Sequence, residues 1–468
     1  MISRSGVWLL GAVIGVLLAA SLPAAAQIAP APAATPPTTA ATAPAPAAVP
    51  QAIKLTLQQA LDMTLQRHPD VVSAQAAAVA AQAAAVQVRA LRLPQITAQA
   101  DLSYSKGLLG SNGSSDSPTT SHNVDIGLDY TIFRSGLNDQ IKRAEVQAAA
   151  QLLGIPDAQR LLAFDVRQNY FAILAFREVA RALLQTMANA ERHREQVQAR
   201  VDAGTAPRSD LLPIEVEVAQ ARLASVQAET NLDTSYASLK ALLQIPADQQ
   251  VDLTDALPNQ AFTSTLDDLL CVGETNRPDV AAQKLTIRAA QLATRVAQAQ
   301  AGLQFNANAT ANEGNHDNTT SQQWQVKIGA SYPLYDAGAS KAGVTAARAN
   351  AVSAEQGLVS LRLNMQRDIE SAYLQVQQSA IAMEVAAVGT RSAESSLAAA
   401  EARYQEGLAI IIEVTDAQVQ LLTAQVAEIR AHNDYATALA QLAFATATDL
   451  QNVTPAAPAA TPATGENR

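Results

Sequence analysis

Asn123-Val124-Asp125-Ile126-Gly127-Leu128-Asp129-Tyr130-Thr131-Ile132 alternates polar and apolar residues without a break, and that alternation decides the fold. Successive side chains of a strand point to opposite faces. Val124, Ile126, Leu128, Tyr130 and Ile132 therefore form an apolar face, and Asn123, Asp125, Gly127, Asp129 and Thr131 a polar one. Three further segments do the same. Ile96, Ala98, Ala100, Leu102 and Tyr104 oppose Gln95, Thr97, Gln99, Asp101 and Ser103. Leu303, Phe305, Ala307, Ala309 and Ala311 oppose Gln304, Asn306, Asn308, Thr310 and Asn312. Trp324, Val326, Ile328, Ala330, Tyr332 and Leu334 oppose Gln325, Lys327, Gly329 and Ser331. Strands are thus expected at 95–106, 121–133, 303–313 and 323–335. Period two over about ten residues is the length and pattern of a membrane β-strand.

A half-buried soluble sheet also alternates. Here, however, Tyr104, Tyr130, Trp324 and Tyr332 fall on the apolar faces near strand ends, where aromatic girdles meet lipid headgroups. Four strands cannot close a barrel, since single-chain bacterial barrels begin at about eight. Several chains must pool their strands. Asp101, Asp125, Asp129 and Lys327 then point into the lumen, where solvating a water-filled pore is their expected role. Gly107 to Thr120 and Gly314 to Ser321, rich in Gly, Ser, Asn, Thr and Asp, read as loops that make one hairpin in each half.

The halves are duplicates. Leu65-Gln66-Arg67-His68-Pro69-Asp70-Val71 returns as Glu274-Thr275-Asn276-Arg277-Pro278-Asp279-Val280, and Ile126-Gly127-Leu128-Asp129-Tyr130 as Ile328-Gly329-Ala330-Ser331-Tyr332. Asp165 to Tyr170 is matched by Asp368 to Tyr373, and Ala199-Arg200 with Gly204 by Ala402-Arg403 with Gly407. A constant order at a spacing of roughly 200 residues indicates gene duplication. The chain divides accordingly into repeat one over 53–258 and repeat two over 259–450.

Outside the strands each repeat reads as helix. Leu137 to Ala203 and Ala339 to Glu406 carry apolar residues at three- and four-residue steps, as at Ala163, Val166, Tyr170, Ile173 and Leu174. Nearly 70 residues at ~1.5 Å each reach about 100 Å, far beyond a bilayer. Gly154 and Pro156 predict a kink in the first of these, whereas Val359 stands where the second would need its proline. Each long helix stops at a glycine, and a return helix follows from Asp210 to Leu243 and from Glu413 to Thr446. Shorter helices, Leu55 to Arg92 and Leu266 to Ala301, precede the strands. The tips of the two helical hairpins fall near 204–209 and 407–412.

Arg4, the apolar run Val7 to Leu22 and Ala24-Ala25-Ala26 before Gln27 make the three-part pattern of a secretory signal over 1–26. Ala/Pro/Thr-rich stretches at 27–52 and 451–468 cannot bury enough apolar surface to offset ordering, and are expected to be disordered. With 468 residues, 4% aromatic content and abundant Ala, Gln and Val, the chain suits closely packed helices more than a thick core. A net charge of −10 with dispersed Lys and Arg gives no footprint for nucleic acid. Cys271 is the only cysteine, so no intrachain disulfide forms, and beside Leu269 and Leu270 it reads as a small core residue. The dispersed His68, His122, His193, His316 and His432, and the lack of a phosphate loop or nucleophile motif, argue against an enzyme, a metal site or a cofactor.

Leu57-Gln58-Gln59-Ala60-Leu61 with His68-Pro69-Asp70, the segment Leu128 to Gly136, its echo Tyr332-Pro333-Leu334-Tyr335-Asp336-Ala337-Gly338, and Tyr404-Gln405-Glu406-Gly407-Leu408 together resemble the TolC family of outer-membrane efflux proteins. The likeness spans about Leu55 to Phe444, in both halves. It implies a homotrimer in the outer membrane, with a twelve-stranded β-barrel continuous with a coiled-coil-like α-helical barrel in the periplasm. It also implies passive, porin-like passage, powered by an inner-membrane pump joined through a periplasmic adaptor that docks on tips such as Gly204, Thr205, Gly407 and Leu408.

Glu413 and Asp416 lie three residues apart on one helix face, so a symmetric oligomer stacks them as two carboxylate rings. On the residues alone, capping and dipole compensation are the favoured explanation of two acidic residues in a first helical turn. The resemblance makes them the entrance constriction, with the longer Glu413 where Asp is usual. It also makes Tyr404 a gate tether to Asp210 with Ser209 beside it, while Ala409 stands in place of a closing arginine, a role open to Arg208. A periplasmic coiled-coil scaffold without a barrel is the other reading of long hairpins. Small-molecule efflux and type I protein secretion use the same kind of outer duct.

Overall fold

The computed structural model describes residues 53–105, 119–205, 207–258, 262–316 and 319–448. The signal, the first Ala/Pro-rich segment, the C-terminal tail and most of the first expected loop lie outside them.

In chain order the elements are β1 (Ile53–Leu55), α1 (Leu57–Arg67), α2 (Pro69–Ala90), β2 (Gln95–Ser105), β3 (Thr119–Arg134), α3 (Leu137–Leu152), α4 (Gly154–Asp202), a 3₁₀ turn (Arg208–Asp210) and α5 (Leu211–Leu243). Then follow β4 (Val251–Leu253), α6 (Leu266–Asn276), α7 (Pro278–Ala299), β5 (Gln304–His316), β6 (Thr319–Ser331), α8 (Ala339–Gln405) and α9 (Ile411–Thr446). The helix expected over Leu55 to Arg92 is two helices, and so is the one over Leu266 to Ala301. Each breaks at the residue before a proline, His68 (ψ 137°) and Arg277 (ψ 118°), because the pyrrolidine ring pushes its predecessor out of the helical region. The proline then opens the next helix, where its missing N–H costs nothing.

The four long strands form one antiparallel sheet in the order β2-β3-β5-β6. Two expected details change. The fourth strand stops at Ser331, so Tyr332 and Leu334 lie just beyond it, and the second loop shrinks because β5 runs to His316 and β6 starts at Thr319. The pairing Thr131 to Asn306 is followed by Phe133 to Phe305, which leaves Ile132 as an inserted bulge residue. Phe133 thereby takes the face position that uninterrupted alternation assigns to Ile132, and its ring stands 6.4 Å from that of Phe305.

Strand order and helix order match. α2 runs into β2, β3 into α3, α7 into β5 and β6 into α8, and the helices pack α2 on α3, α3 on α7 and α7 on α8. Further along, α4 packs on α5, α8 on α9, and α4 on α9. The first long helix breaks at Leu153, ahead of Pro156, while α8 runs unbroken for 67 residues, about 100 Å. α9 starts at Ile411, two residues before the expected Glu413, because Ile411 is buried against the first hairpin; packing rather than a cap decides this start.

Two cores correspond to the two repeats. One gathers Leu61, Val166, Tyr170, Ile173, Leu174 and Leu239, the other Leu269, Val280, Ile369, Val376, Tyr435 and Leu442. The Tyr170 hydroxyl donates to Leu55 O (3.1 Å) or the Asp255 carboxylate (3.0 Å), and the same Asp255 oxygen accepts Leu57 N at 2.7 Å. This ties α4 to a small parallel sheet of β1 and β4 that three-residue strands hide from periodicity. Cys271 is exposed on α6, a correction of the core placement: Leu269 takes the inward position at 0% exposure.

Candidate functional site: the two-faced sheet and the hairpin tips

Register puts the expected lumen residues on one face of the sheet. Gln95, Asp129, Asn308 and Lys327 lie across the strands in one row, and Gln99, Asp125, Asn312 and Gln323 in another. Asp101 sits across from Asn123 on the same face. Amides hold these carboxylates: Gln99 donates to Asp101 at 3.0 Å, Asn123 to Asp125, and Asn308 to Asp129, with Asn306 donating to Asn308 at 2.8 Å.

The other face is apolar and open. Ile96 (76% exposed), Ile328 (73%) and Trp324 (80%) show how little of it the chain covers. Eight residue steps from Ile96 to Tyr104 span roughly 27 Å along the strand at ~3.4 Å per residue, close to the height of a lipid-facing band. The outer edges of β2 and β6 have no strand partner among the described residues.

The two hairpin tips share one backbone design. Gly204 and Gly407 both have φ +74°, which a side chain would strain. Gly204 N donates to Val201 O and Thr205 N to Arg200 O; Gly407 N donates to Tyr404 O and Leu408 N to Arg403 O. Both are Schellman stops, which pair helix-end carbonyls. Gly204, Thr205, Gly407 and Leu408 are all exposed there, Leu408 at 74%.

Glu413 and Asp416 are exposed in the first turns of α9. Glu413 meets Arg403 Nη2 at 3.4 Å, an ion pair across the tip that sequence reasoning missed, whereas Arg208 had been the candidate cation. Ala409 is half-buried, and Arg208 is exposed in the 3₁₀ turn. Ser209 Oγ and Asp210 Oδ1 are 3.4 Å apart. Among the described residues the structure gives Tyr404 ring contacts rather than a hydrogen bond to Asp210. Its ring meets His193 edge-on, with centroids 6.3 Å apart, and the Arg200 guanidinium at 5.0 Å. His193 and Arg200 were not among the expected gate residues. His193 repeats the inward spacing of Ala190 and Val197 on α4, a signal that marks it as buried. Burial, then the charge of Arg200, lowers its pKa below the ordinary value, and burial alone raises that of Glu217 on α5. No group of His, Cys, Asp and Glu among the described residues could hold a metal ion.

The profile of the outer membrane efflux protein family matches residues 60–243 and 274–448, one stretch in each repeat and most of the chain. The chain belongs to the outer membrane efflux protein family. It is similar to the outer membrane protein TolC of Escherichia coli K12, 25% identical over 393 residues that cover 79% of this chain and 77% of that one. Among solved structures it resembles the Campylobacter jejuni CmeC outer membrane channel, with TM-score 0.71, 16% identity, and coverage of 83% of this chain and 85% of that one. The open-state Neisseria gonorrhoeae MtrE outer membrane channel matches at TM-score 0.69 and 20% identity, covering 84% of this chain and 89% of that one. The chain is a transport duct rather than an enzyme. The protein is an outer-membrane efflux channel, and the periplasmic scaffold reading is set aside.

Proposed function

We propose that three copies of this chain join their four-stranded sheets into one twelve-stranded barrel, the passive exit duct of a tripartite export machine. The single observation that carries this reading is a sheet with one open apolar face and, among the described residues, two unpaired edges. In hydrocarbon every backbone polar group needs a partner, so β2 of one chain must pair with β6 of the next. The helices repeat the argument. Val72, Val79 and Val86 on α2 are 50%, 64% and 62% exposed at seven-residue spacing, the seam of a helix that packs on another.

The amide-held carboxylates and Lys327 then line the barrel lumen, and the helical hairpins reach into the periplasm. There Glu413 and Asp416 form two acidic rings that favour cations at the entrance. Tyr404 of the second hairpin tethers the two hairpins in the closed state, and Asp210, with Ser209 next to it, is the acidic group on the other hairpin that would take part in that closure. The exposed tips Gly204, Thr205, Gly407 and Leu408 take a periplasmic adaptor that couples the duct to an inner-membrane pump. Single-channel recording of the detergent-purified protein in planar bilayers tests this. A low, cation-preferring conductance that rises and loses its preference in Glu413→Gln/Asp416→Asn supports the reading. A protein without conductance contradicts it.

A further inference from the structure

Tyr404 belongs to α8, yet its ring is held by two side chains of α4. His193 and Arg200 are seven residues apart, two helical turns on one face. The imidazole meets the phenol ring edge-on at 82°, and the guanidinium lies over the ring. Tyr404 also packs against two buried clusters, one of Val197, Leu211 and Ile214 of the first hairpin with Ile411 of the second, the other of Ala400, Val414 and Ala417 of the second. It is therefore the place where the two hairpins grip each other near their tips.

His193 is 8% exposed, and its Nδ1 is buried without a hydrogen-bond partner. A neutral imidazole bears that cost. An imidazolium there carries a desolvated charge with an unmet donor, close to the charge of Arg200. We propose that His193 and Arg200 are positioning residues that clasp Tyr404, and that neutral His193 makes closure of the tip pH-dependent, with acid loosening the grip. The proposal rests on the gated-duct reading above.

Charge acts on His193 through Arg200, which disfavours an imidazolium. Arg200 is cationic and on the same helix. On α8, Arg403 Nη2 stands 3.4 Å from Glu413 of α9, an exposed pair. On the neighbouring helix α5, Glu217 is half-buried with Oε2 unpartnered and its carboxyl raised by burial, so it is a second group that can take up a proton as pH falls. The sign follows from linkage. His193 has a lower pKa clasped than exposed, so it binds a proton preferentially once released. The clasp is at full strength above the ordinary value of 6.5 and weakens as pH falls below it, by up to about tenfold per pH unit until the lowered pKa is reached.

The test is open probability of the full mature protein in planar bilayers from about pH 7.5 to 5.0, in KCl, with oligomeric mass checked for every variant. Wild type is expected to open increasingly once pH drops below 6.5. His193→Phe keeps the ring contact without titrating and is expected to stay closed across the range; His193→Gln, a second uncharged variant, must also lose the response. Tyr404→Ala is expected to open at every pH, and far more than Tyr404→Phe, which keeps the ring. Glu217→Gln separates the contribution of that carboxyl. A response that survives in both His193 variants overturns the proposal, as does a response that disappears in Glu217→Gln alone. Opening of Tyr404→Phe to the extent of Tyr404→Ala overturns it too and returns the tether to the hydroxyl and Asp210. Channels that conduct with no pH response in wild type defeat the clasp and leave the duct intact, whereas no conductance in any variant defeats both.

Discussion

The two repeats keep the same backbone devices and differ in the polar side chains that hold them. Both stop their long helices at a glycine with φ +74° and the same pair of capping bonds, and both enter a helix through a glycine with positive φ, Gly136 and Gly338. Repeat one, in contrast, breaks its long helix at Leu153, buries Tyr170 completely on Asp255 and supplies His193 and Arg200 at the tip. Repeat two runs α8 unbroken, leaves Tyr373 half-buried against Phe262, and supplies Tyr404. Turn geometry tolerates little change because few residues reach those dihedrals. Side-chain pairs are free to diverge, and the divergence here gives one hairpin the clasp and the other the ring it holds.

Substitutions at matched positions can break this comparison. The largest expected contrast is Tyr170→Ala against Tyr373→Ala, about 3–5 kcal/mol against roughly 1–2, since only the first empties a fully buried site. Thermal melting in detergent by circular dichroism reads the difference, and equal losses contradict it. Removing the hydroxyl alone separates the polar part. Tyr170→Phe should cost about 1–3 kcal/mol by leaving Asp255 with one donor fewer, while Tyr373→Phe should stay within about 0.5.

Glu274 comes next. The Arg362 guanidinium, which binds it through three contacts, and then Lys284 hold its carboxyl at about 2 against the ordinary 4.5. Leu65 stands at the matching place in repeat one. A carboxyl depressed by folding stabilises fully above 4.5 and loses that contribution as pH falls from 4.5 to about 2. With its side chain 34% exposed, solvent screening reduces the effect of Glu274→Gln to below about 1 kcal/mol. Melting curves of wild type and Glu274→Gln should converge in that acid window and separate above it.

The smallest contrast is one of sign. A Cβ at Gly154 meets nothing within 4 Å, so Gly154→Ala should stabilise by about 0.5–1 kcal/mol. At Gly357 a Cβ comes within 2.9 Å of Gln283 Nε2, which donates to Ala354 O, so Gly357→Ala should gain nothing or lose stability.

The sheet was legible because a period of two survives over eleven to sixteen residues, and the duplication because the same motifs return in order. The bulge at Ile132 was not, since an apolar side chain continues the alternation whether or not the residue is paired. The breaks at His68 and Arg277 were written in the following prolines, whose effect on the preceding residue outweighs the helical periodicity around them. The pairing of Arg403 with Glu413 joins two helices across a tip, and the clasp of Tyr404 joins residues about 200 apart in sequence. Neither leaves a local pattern. At the site, the shared polar face of the sheet was legible from parity, and the exposed tips from glycine; the partners of Tyr404 needed the packing.

If one chain's sheet is a third of a barrel, the protein exists as a trimer. Native mass spectrometry of the mature protein extracted from outer membranes into detergent tests it most directly. A particle of three chains is expected, with no stable monomer until the detergent denatures it. A monomer that keeps its full strand content, or a stable assembly of any number of chains other than three, would contradict it.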